Sequence, residues 1–496
     1  MNIVIVGCGN VGLETARLLE RKHTVLLINH GRSADLDNFL QHRGDVSFAQ
    51  ADATDPEAVG RTMNGFVAAT GRVDVLVSTV GAFSPALATE DFHGFESNFS
   101  LNVFANLVPI KAALSHMIPA RSGRIIVLSS TSGVFAYPGL TAYVPAKWAL
   151  TNLCRILRRD VEPHGIALDI VFPRSIRNRR SRTFLFKHGI EAEKVAAAIC
   201  RATQSSRSTN RFVPRRAEVL RLLERALPWV LDRRAGLRSD RGAGFRRRQV
   251  HSVLIAGAAC SRERELALLY AKSAARLFLA GPDIARLSAM RNDIERSSEC
   301  AVGVFALDVA DAVSVQSFAA AVPAVDLLVH ATSCGSRARL VDSSLTAFDR
   351  ALRSVFLGPA GLTAALLREQ KISGKVLTIL SACAVSGDPG CGACAAGHSA
   401  LQAFTRVLRR TVGNDIQVVE AVVDMSPDGH CRELDHNGLP TDSCRTHTGL
   451  SDRLIARRIV QAERSGKEII CIPRTRKSSA GKRISRRTLH VVKLNG

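Results

Sequence analysis

One stretch of this chain is written twice. Residues 123–150, GRIIVLSSTSGVFAYPGLTAYVPAKWAL, align with residues 374–401, GKVLTILSACAVSGDPGCGACAAGHSAL, at a constant offset of 251. The echo extends outward in both directions. IVIVG at 3–7 returns as VLIAG at 253–257, VDVLVSTVGAF at 73–83 as VDLLVHATSCG at 325–335, and KVAAAICRATQSSRSTNRFVP at 194–214 as LIARRIVQAERSGKEIICIP at 454–473. A period near 250 residues is far too long for a solenoid repeat and marks a duplicated domain. The 496 residues therefore divide into a first domain over 1–215, a basic amphipathic linker over 216–249, a second domain over 250–474 and a basic tail over 475–496.

Within each copy, short β-branched runs alternate with amphipathic helical stretches. In the first copy the runs are NIVIVG, TVLLIN, VSFAQA, VDVLVST, GRIIVLSS and ALDIVF. Such runs are apolar throughout rather than alternating, so both faces of the strand are buried and the sheet is parallel, with helices on either side. The fold class expected is α/β, as two tandem Rossmann-like, doubly wound parallel-sheet domains.

Charge isolates the connecting segments. Residues 174–248 carry 21 Lys/Arg against 6 Asp/Glu, and residues 474–496 carry 8 Lys/Arg and no acid, which accounts for the whole net charge of +23. The stretch AEVLRLLERALPWVLDRRAGLR (217–238) sets Val219, Leu220, Leu223, Leu227 and Val230 on one face with arginines opposite. It reads either as a lid packed on the substrate side of the core or as an interfacial helix lying on an anionic membrane. The tail RTRKSSAGKRISRR lacks the aromatic platform that accompanies single-strand nucleic-acid binding, so nucleic acid is not an expected partner. No apolar run approaches the roughly 18 residues of a membrane span. Met1 leads straight into a strand without a basic n-region or cleavage site. Twelve cysteines scattered through apolar segments read as reduced thiols. Together these features place the chain in the cytoplasm.

The first turn carries a ligand signature. VGCGNVG sets Gly7, Gly9 and Gly12 in G-x-G-x-x-G order, with Asn10 and Val11 between the last two, after a strand and before the helix LETARLLERK. Gly7 permits the tight turn, Gly9 lets backbone approach a pyrophosphate, Gly12 lets helix and strand pack closely, and the helix N-terminus faces the phosphates. The second strand ends LLINHGR. It lacks the acid that grips a ribose 2′-hydroxyl, while Arg32 is placed to meet a 2′-phosphate. NADP(H) is accordingly favoured over NAD(H).

On further motifs the first copy resembles the short-chain dehydrogenase/reductase family, over essentially all of residues 1–215. Tyr143-x-x-x-Lys147 is similar to the family's catalytic pair, Ser130 followed by TSG stands at its serine, and Asn102 in SNFSLNVFANL matches the helix asparagine of its tetrad. Asp52 and Ala53 in ADATD resemble the adenine contact. Gly81 closes the counterpart of N-N-A-G, here Ser78-Thr79-Val80-Gly81. FPRSIRN (172–178), with Pro173 and Ile176, stands where the family's P-G-x-V-x-T holds the nicotinamide. The resemblance implies hydride transfer between a nicotinamide and a small-molecule ketone or secondary alcohol. Tyr143 would be the proton donor, and Lys147, one helical turn away, would lower its pKa. Ser130 would hold the carbonyl oxygen, and Asn102 a water that returns protons. Two departures stand out: the glycine spacing is that of other dinucleotide folds, and Arg174 follows Pro173 where the family has glycine.

The second copy keeps the serine as Ser381 but has Cys394 for the tyrosine, His398 for the lysine and Val355 for the asparagine. Its first turn, AGAACSRERE, keeps Gly257 and puts Ser261 and Glu263 where glycines would stand. Glu263 and Glu265 are expected to repel an anionic cofactor there. Cys391-x-x-Cys394-x-x-x-His398, followed by His430, Cys431, Cys444 and His447, has metal-like spacing. Because the duplication already accounts for positions 394 and 398, no metal is assigned. The expected function is an NADP(H)-dependent ketone reductase or alcohol dehydrogenase, possible substrates including a hydrophobic or acyl-linked 3-oxo lipid, with a degenerate second half. The alternative is a non-enzymatic NADP(H)-binding redox sensor or scaffold.

Overall fold

The computed structural model describes residues 1–41, 46–83, 92–177, 189–219, 222, 250–257, 261–331, 338–386, 389–412, 416–423, 452–466 and 469–472. These form two compact units. The unit of the first copy runs over Met1–Ala86 and Gly94–Glu224 and takes in Ala338–Leu345; the other holds Leu87–His93, Arg225–Arg337 and Thr346–Gly496.

The first unit is built on β1 (Asn2–Val6), β2 (Thr24–Asn29), β3 (Val46–Gln50), β4 (Val75–Ser78), β5 (Gly123–Leu128), β6 (Ile166–Pro173) and β7 (Asn210–Val213). They form one sheet in the order β3-β2-β1-β4-β5-β6-β7, with every pair parallel. The order reverses between β1 and β4, and this is where open parallel sheets bind their ligands. Six strands coincide with the apolar runs of the sequence. The seventh, NRFV, is too short and too polar to stand out.

Helices α1 (Asn10–Leu19), α2 (Ala34–Leu40), α3 (Pro56–Thr70), α4 (Phe92–Phe99), α5 (Ala105–Ala120), α6 (Tyr143–Val161) and α7 (Ala192–Thr203) accompany the strands. Local chemistry sets their starts: Ser33 caps α2 through Leu36 N–H, and Asp55 caps α3 through Glu57 and Ala58 N–H, with Pro56 in the first turn. A core of Ile3, Ile5, Val25, Leu27, Val75, Val77 and Ile126 packs against Leu13, Ala16, Val195 and Ile199. Removing the Val, Leu and Ile side chains among these from water stabilises the unit by about 2 kcal/mol each.

A five-residue π-helical segment, Ser100–Phe104, joins α4 to α5. The continuous run Phe92–Ala120 is long and apolar enough to cross a bilayer, which counting uninterrupted apolar residues does not reveal. In this fold it is a core helix whose Asn98, Asn102 and Asn106 are buried.

The second unit repeats the design with β8 (Ser252–Ala256), β9 (Arg276–Gly281), β10 (Ala301–Ala306), β11 (Val325–His330), β12 (Ile372–Ser381), β13 (Gln417–Val423) and β14 (Ile469–Ile472), in the order β10-β9-β8-β11-β12-β13-β14. Each sheet buries an acid in its sixth strand, one register position apart: Asp169 in β6 pairs with Arg124, and Glu420 in β13, which matches Ile170 rather than Asp169, pairs with Arg406 at 3.1 Å. The π-helical segment also recurs, as Arg353–Leu357. The linker, apart from 216–219 and 222, and the tail lie outside the described residues, and so do His430, Cys431, Cys444 and His447.

Candidate active site

Because all seven strands of the first sheet are parallel, the connections after β1, β2, β4, β5 and β6 leave its same edge. After β1 the chain turns at Gly7, whose φ is +94°, and its carbonyl accepts a hydrogen bond from Thr79 Oγ1 at 2.8 Å. Helix α1 starts immediately after Gly9, which offers no side-chain cap to the first-turn N–H groups. A Cβ on Gly12 would stand 1.9 Å from the Gly7 carbonyl oxygen, so only glycine permits this packing. Over Gly9 a Cβ would meet nothing within 4 Å. Bare N–H groups at a helix start beside open space make a cradle for a phosphate.

At the end of β2, Asn29 accepts the Cys8 N–H at 3.1 Å and donates to the Gly31 carbonyl at 2.7 Å, which ties the strand to the glycine turn. The half-exposed Arg32 reaches over the Phe48 ring, 5.4 Å from its centroid, and its Nε pairs with Asp37 at 2.8 Å. Asp52 is exposed, and its Oδ1 accepts from both the N–H and the hydroxyl of Thr54. Ala53 beside it is buried. Past β6, Pro173 pairs in register with Val213, and Ile176 bridges to Ile190.

The four residues that would carry chemistry come together. Ser130 follows β5 and caps a short turn through Ser132 N–H at 3.1 Å, and its side chain lies near enough to Tyr143 to pull that hydroxyl's pKa down. Tyr143 opens α6 and Lys147 lies one turn on, with Nζ 5.7 Å from the centroid of the Tyr143 ring. Asn102 is wholly buried in the π-helical segment. Its Nδ2 donates to the carbonyls of Ala82 and Asn98, both at 3.0 Å, while its Oδ1 is buried with no hydrogen-bond partner among the described residues. Gly81 shows where that oxygen points: a Cβ there would lie 2.7 Å from Lys147 Nζ and 2.9 Å from Asn102 Oδ1. A lysine and a bare acceptor thus flank one small space that a side chain at residue 81 would fill.

Electrostatics depart from the expectation that Lys147 lowers the tyrosine. Burial pushes Tyr143 up to about 12 against the opposing pull of Ser130, and burial brings Lys147 down to about 8. Desolvation wins: Lys147 is buried and Tyr143 is partly so. The folded state therefore releases the Lys147 proton near pH 8, whereas the unfolded chain keeps it to about 10.5. Between these values stability rises with pH, and below about 8 the charged lysine costs the fold about 3 kcal/mol. Lys147→Met should therefore raise the stability of the first unit at pH 7 by about 1–3 kcal/mol, read as a higher denaturation midpoint. An unchanged or lower midpoint would remove the claim that Lys147 is held at a cost.

In the second copy the same place is filled with protein. Ser381, Cys394, His398 and Val355 are all buried. The Ser381 N–H lies 3.5 Å from His398 Nδ1, and its hydroxyl accepts from Cys383 N–H at 3.3 Å. Glu263 does not stand open to a phosphate as expected. It is wholly buried with its carboxylate 3.3 Å from Arg262 Nε, so the acid occupies protein interior. Among the described residues no group of three or more His, Cys, Asp or Glu side chains is disposed to hold a metal ion.

The sheet order, the glycine turn at the switch point and the Ser-Tyr-Lys-Asn cluster define a Rossmann-type oxidoreductase domain. The short chain dehydrogenase family model matches residues 1–184 and again 251–424. The chain belongs to that family, as a tandem member, and is an oxidoreductase of its alcohol- and ketone-transforming kind. An uncharacterized oxidoreductase of Listeria monocytogenes is 28% identical over 229 residues, covering 42% of this chain and 92% of its own. The (+)-borneol dehydrogenase 2 of Salvia officinalis is 28% identical over 200 residues, covering 39% of this chain and 69% of its own. The whole tandem is similar in fold to the NADP-bound N-domain of a bacterial malonyl-CoA reductase, with TM-score 0.67 at 14% identity, covering 96% of this chain and 97% of that one.

Sequence reasoning passed over three features of this site. Asn98 and Asn106 flank Asn102 at helical spacing, legible in SNFSLNVFAN. Asp37 holds Arg32. Phe83, 38% exposed, sets its ring against Tyr143 at 5.1 Å and 69°.

Proposed function

We propose that the first copy is an NADP(H)-dependent ketone reductase and that Ser130, Tyr143, Lys147 and Asn102 are its catalytic residues. The observation that supports it best is the meeting of Lys147 Nζ and Asn102 Oδ1 at Gly81, one helical turn from Tyr143. The cradle of Gly7, Gly9 and Gly12, with Asn10 and Val11, fits a dinucleotide pyrophosphate. Asp52 and Ala53 would border the adenine, and Gly81, Pro173 and Ile176 the nicotinamide. When bound, that cofactor supplies the hydride. Ser130 orients the substrate carbonyl by hydrogen bonding its oxygen. Tyr143, held protonated by burial, gives its hydroxyl proton to the developing alkoxide. The charged Lys147 stabilises the phenolate left behind and, through a water on Asn102 Oδ1, passes a proton back. A neutral tyrosine favours the reductive direction.

The part-exposed Phe83 ring set edge-on against the Tyr143 ring supports an apolar ketone, such as a 3-oxo lipid or a cyclic secondary alcohol's ketone. Among the described residues Cys8, Cys154, Cys200 and Cys300 stand outside any disulfide, in keeping with a cytoplasmic setting. The test is NADPH oxidation by the full chain against a panel of apolar and polar ketones. Absence of turnover with every class, alongside tight NADPH binding, would favour the sensor reading instead.

Cofactor choice makes a separate prediction. Arg32 lies at the end of β2 with Asn29 in place of an acid, and Asp37 anchors only its Nε side. Arg32→Asp should shift the NADPH/NADH ratio of kcat/KM towards NADH by about a hundredfold, since it replaces a bidentate phosphate donor with a repelling charge. A ratio that does not move would take selectivity away from Arg32.

A further inference from the structure

Three asparagines stand at successive helical turns through α4, the π-helical segment and α5, all buried: Asn98, Asn102 and Asn106. Each donates its Nδ2 to the carbonyl one turn back, Asn98 to Gly94, Asn102 to Asn98 and Asn106 to Asn102, all at 3.0 Å. The ladder is tied sideways to the loop after β4. Asn102 Nδ2 also reaches the Ala82 carbonyl, Asn106 Nδ2 the Val80 carbonyl at 3.2 Å, and the Ser78 hydroxyl donates to Asn106 Oδ1 at 2.7 Å. Asn106 therefore grips three things at once: the last residue of β4, the loop that ends at Gly81, and the main chain of Asn102.

The second copy shows what the fold needs without this ladder. In the register of the sheet, His330 takes the place of Ser78: each closes its strand and pairs with the last residue of the first strand. Counted along the matching helices, Ala351, Val355 and Pro359 take the places of Asn98, Asn102 and Asn106. The π-helical segment persists. Among the described residues the strand end is held instead by His330 Nε2 to Thr363 Oγ1 at 2.7 Å, so the same strand order and π-helical segment form without the three-rung ladder.

We propose that Asn106, steadied by Ser78, is a positioning residue for proton return: it fixes Asn102 Oδ1 and Gly81 at the spacing that admits one proton carrier beside Lys147. This rests on the proton path proposed above. Buried amide networks hold a functional group to within a fraction of an ångström, and misplacement by about 1 Å costs on the order of a hundredfold in rate.

The test uses the full chain and three substitutions, with Tyr143→Phe as reference. Asn106→Leu should lower kcat for ketone reduction by about tenfold or more, raise the solvent deuterium isotope effect on kcat, and leave the NADPH Kd within about twofold. Ser78→Ala, a milder change that keeps Asn106, should move the same two quantities in the same direction by a few fold, and it serves where Asn106→Leu does not fold. Thr363→Val removes the comparable contact in the second copy and should leave kcat and the isotope effect unchanged. Loss of kcat with no change in isotope effect, or an equal loss in Thr363→Val, makes the ladder merely structural and overturns the inference. Were Tyr143→Phe to retain turnover, the proton path itself would fall; loss in Tyr143→Phe with no response to Asn106→Leu and Ser78→Ala would sink the ladder alone.

Discussion

Tyr143→Phe should reduce turnover by at least about a hundredfold while the NADPH Kd stays within a few fold. Removing one oxygen takes away the proton donor but none of the glycine cradle, which lies at the end of a different strand. Phenylalanine retains the ring that packs edge-on to Phe83, so the substrate wall survives and KM should change little. The wild-type pH profile supplies a second check. With the tyrosine held near 12, the hydroxyl is protonated throughout the working range, and the limiting group becomes Lys147, near 8. Ketone reduction should fall as pH rises through about 8, because a neutral lysine cannot return a proton. Residual turnover in Tyr143→Phe of more than a few per cent, or a wild-type profile flat between pH 6 and 10, would show that protons reach the substrate by another route.

The parts of this protein that the sequence made legible are those with a period or a spacing. Strands buried on both faces are apolar without interruption, so six of seven in the first sheet stand out. NRFV does not, because its four residues are too few and too polar to show as an apolar run. Tyr143 and Lys147 are legible since one helical turn separates them. Ser130 and Asn102 needed a family resemblance, because their meeting with α6 depends on connections of different length. The sign of the tyrosine shift was not legible at all. A neighbouring lysine argues for a lower pKa, and only the depth of the pair shows that desolvation prevails. The Glu263 expectation failed in a similar way: a carboxylate at a helix start reads as solvent-facing until Arg262 is seen buried beside it.

Duplication gives the site its internal reference. Both copies retain the strand order and the π-helical segment. These features belong to the fold. What differs between the copies is the polar lining of one edge, open around Ser130 and Tyr143 and closed around Ser381 and Cys394.

The same contrast predicts how many cofactors the chain binds. Gly12 and Glu263 are each the third residue of the first helix in their copy. At Gly12 even a methyl group would stand 1.9 Å from the Gly7 carbonyl oxygen. At Glu263 a full side chain is accommodated, wholly buried against Arg262, where the first copy admits only glycine. Calorimetric titration of NADPH into the full chain should therefore give one site, and Gly12→Glu should abolish binding by steric overlap and by setting a carboxylate against the pyrophosphate. Opening the second cradle to a phosphate would mean expelling a buried ion pair, and leaving one partner of such a pair unpaired costs about 3–5 kcal/mol. Ser381→Ala and Cys394→Ala should leave kcat within about twofold, because neither residue lies in the open site; core substitutions of this size act on stability, by about 1 kcal/mol. Two sites of similar affinity, NADPH binding that survives Gly12→Glu, or a large loss of kcat in folded Cys394→Ala would each mean that the second copy takes part in the chemistry.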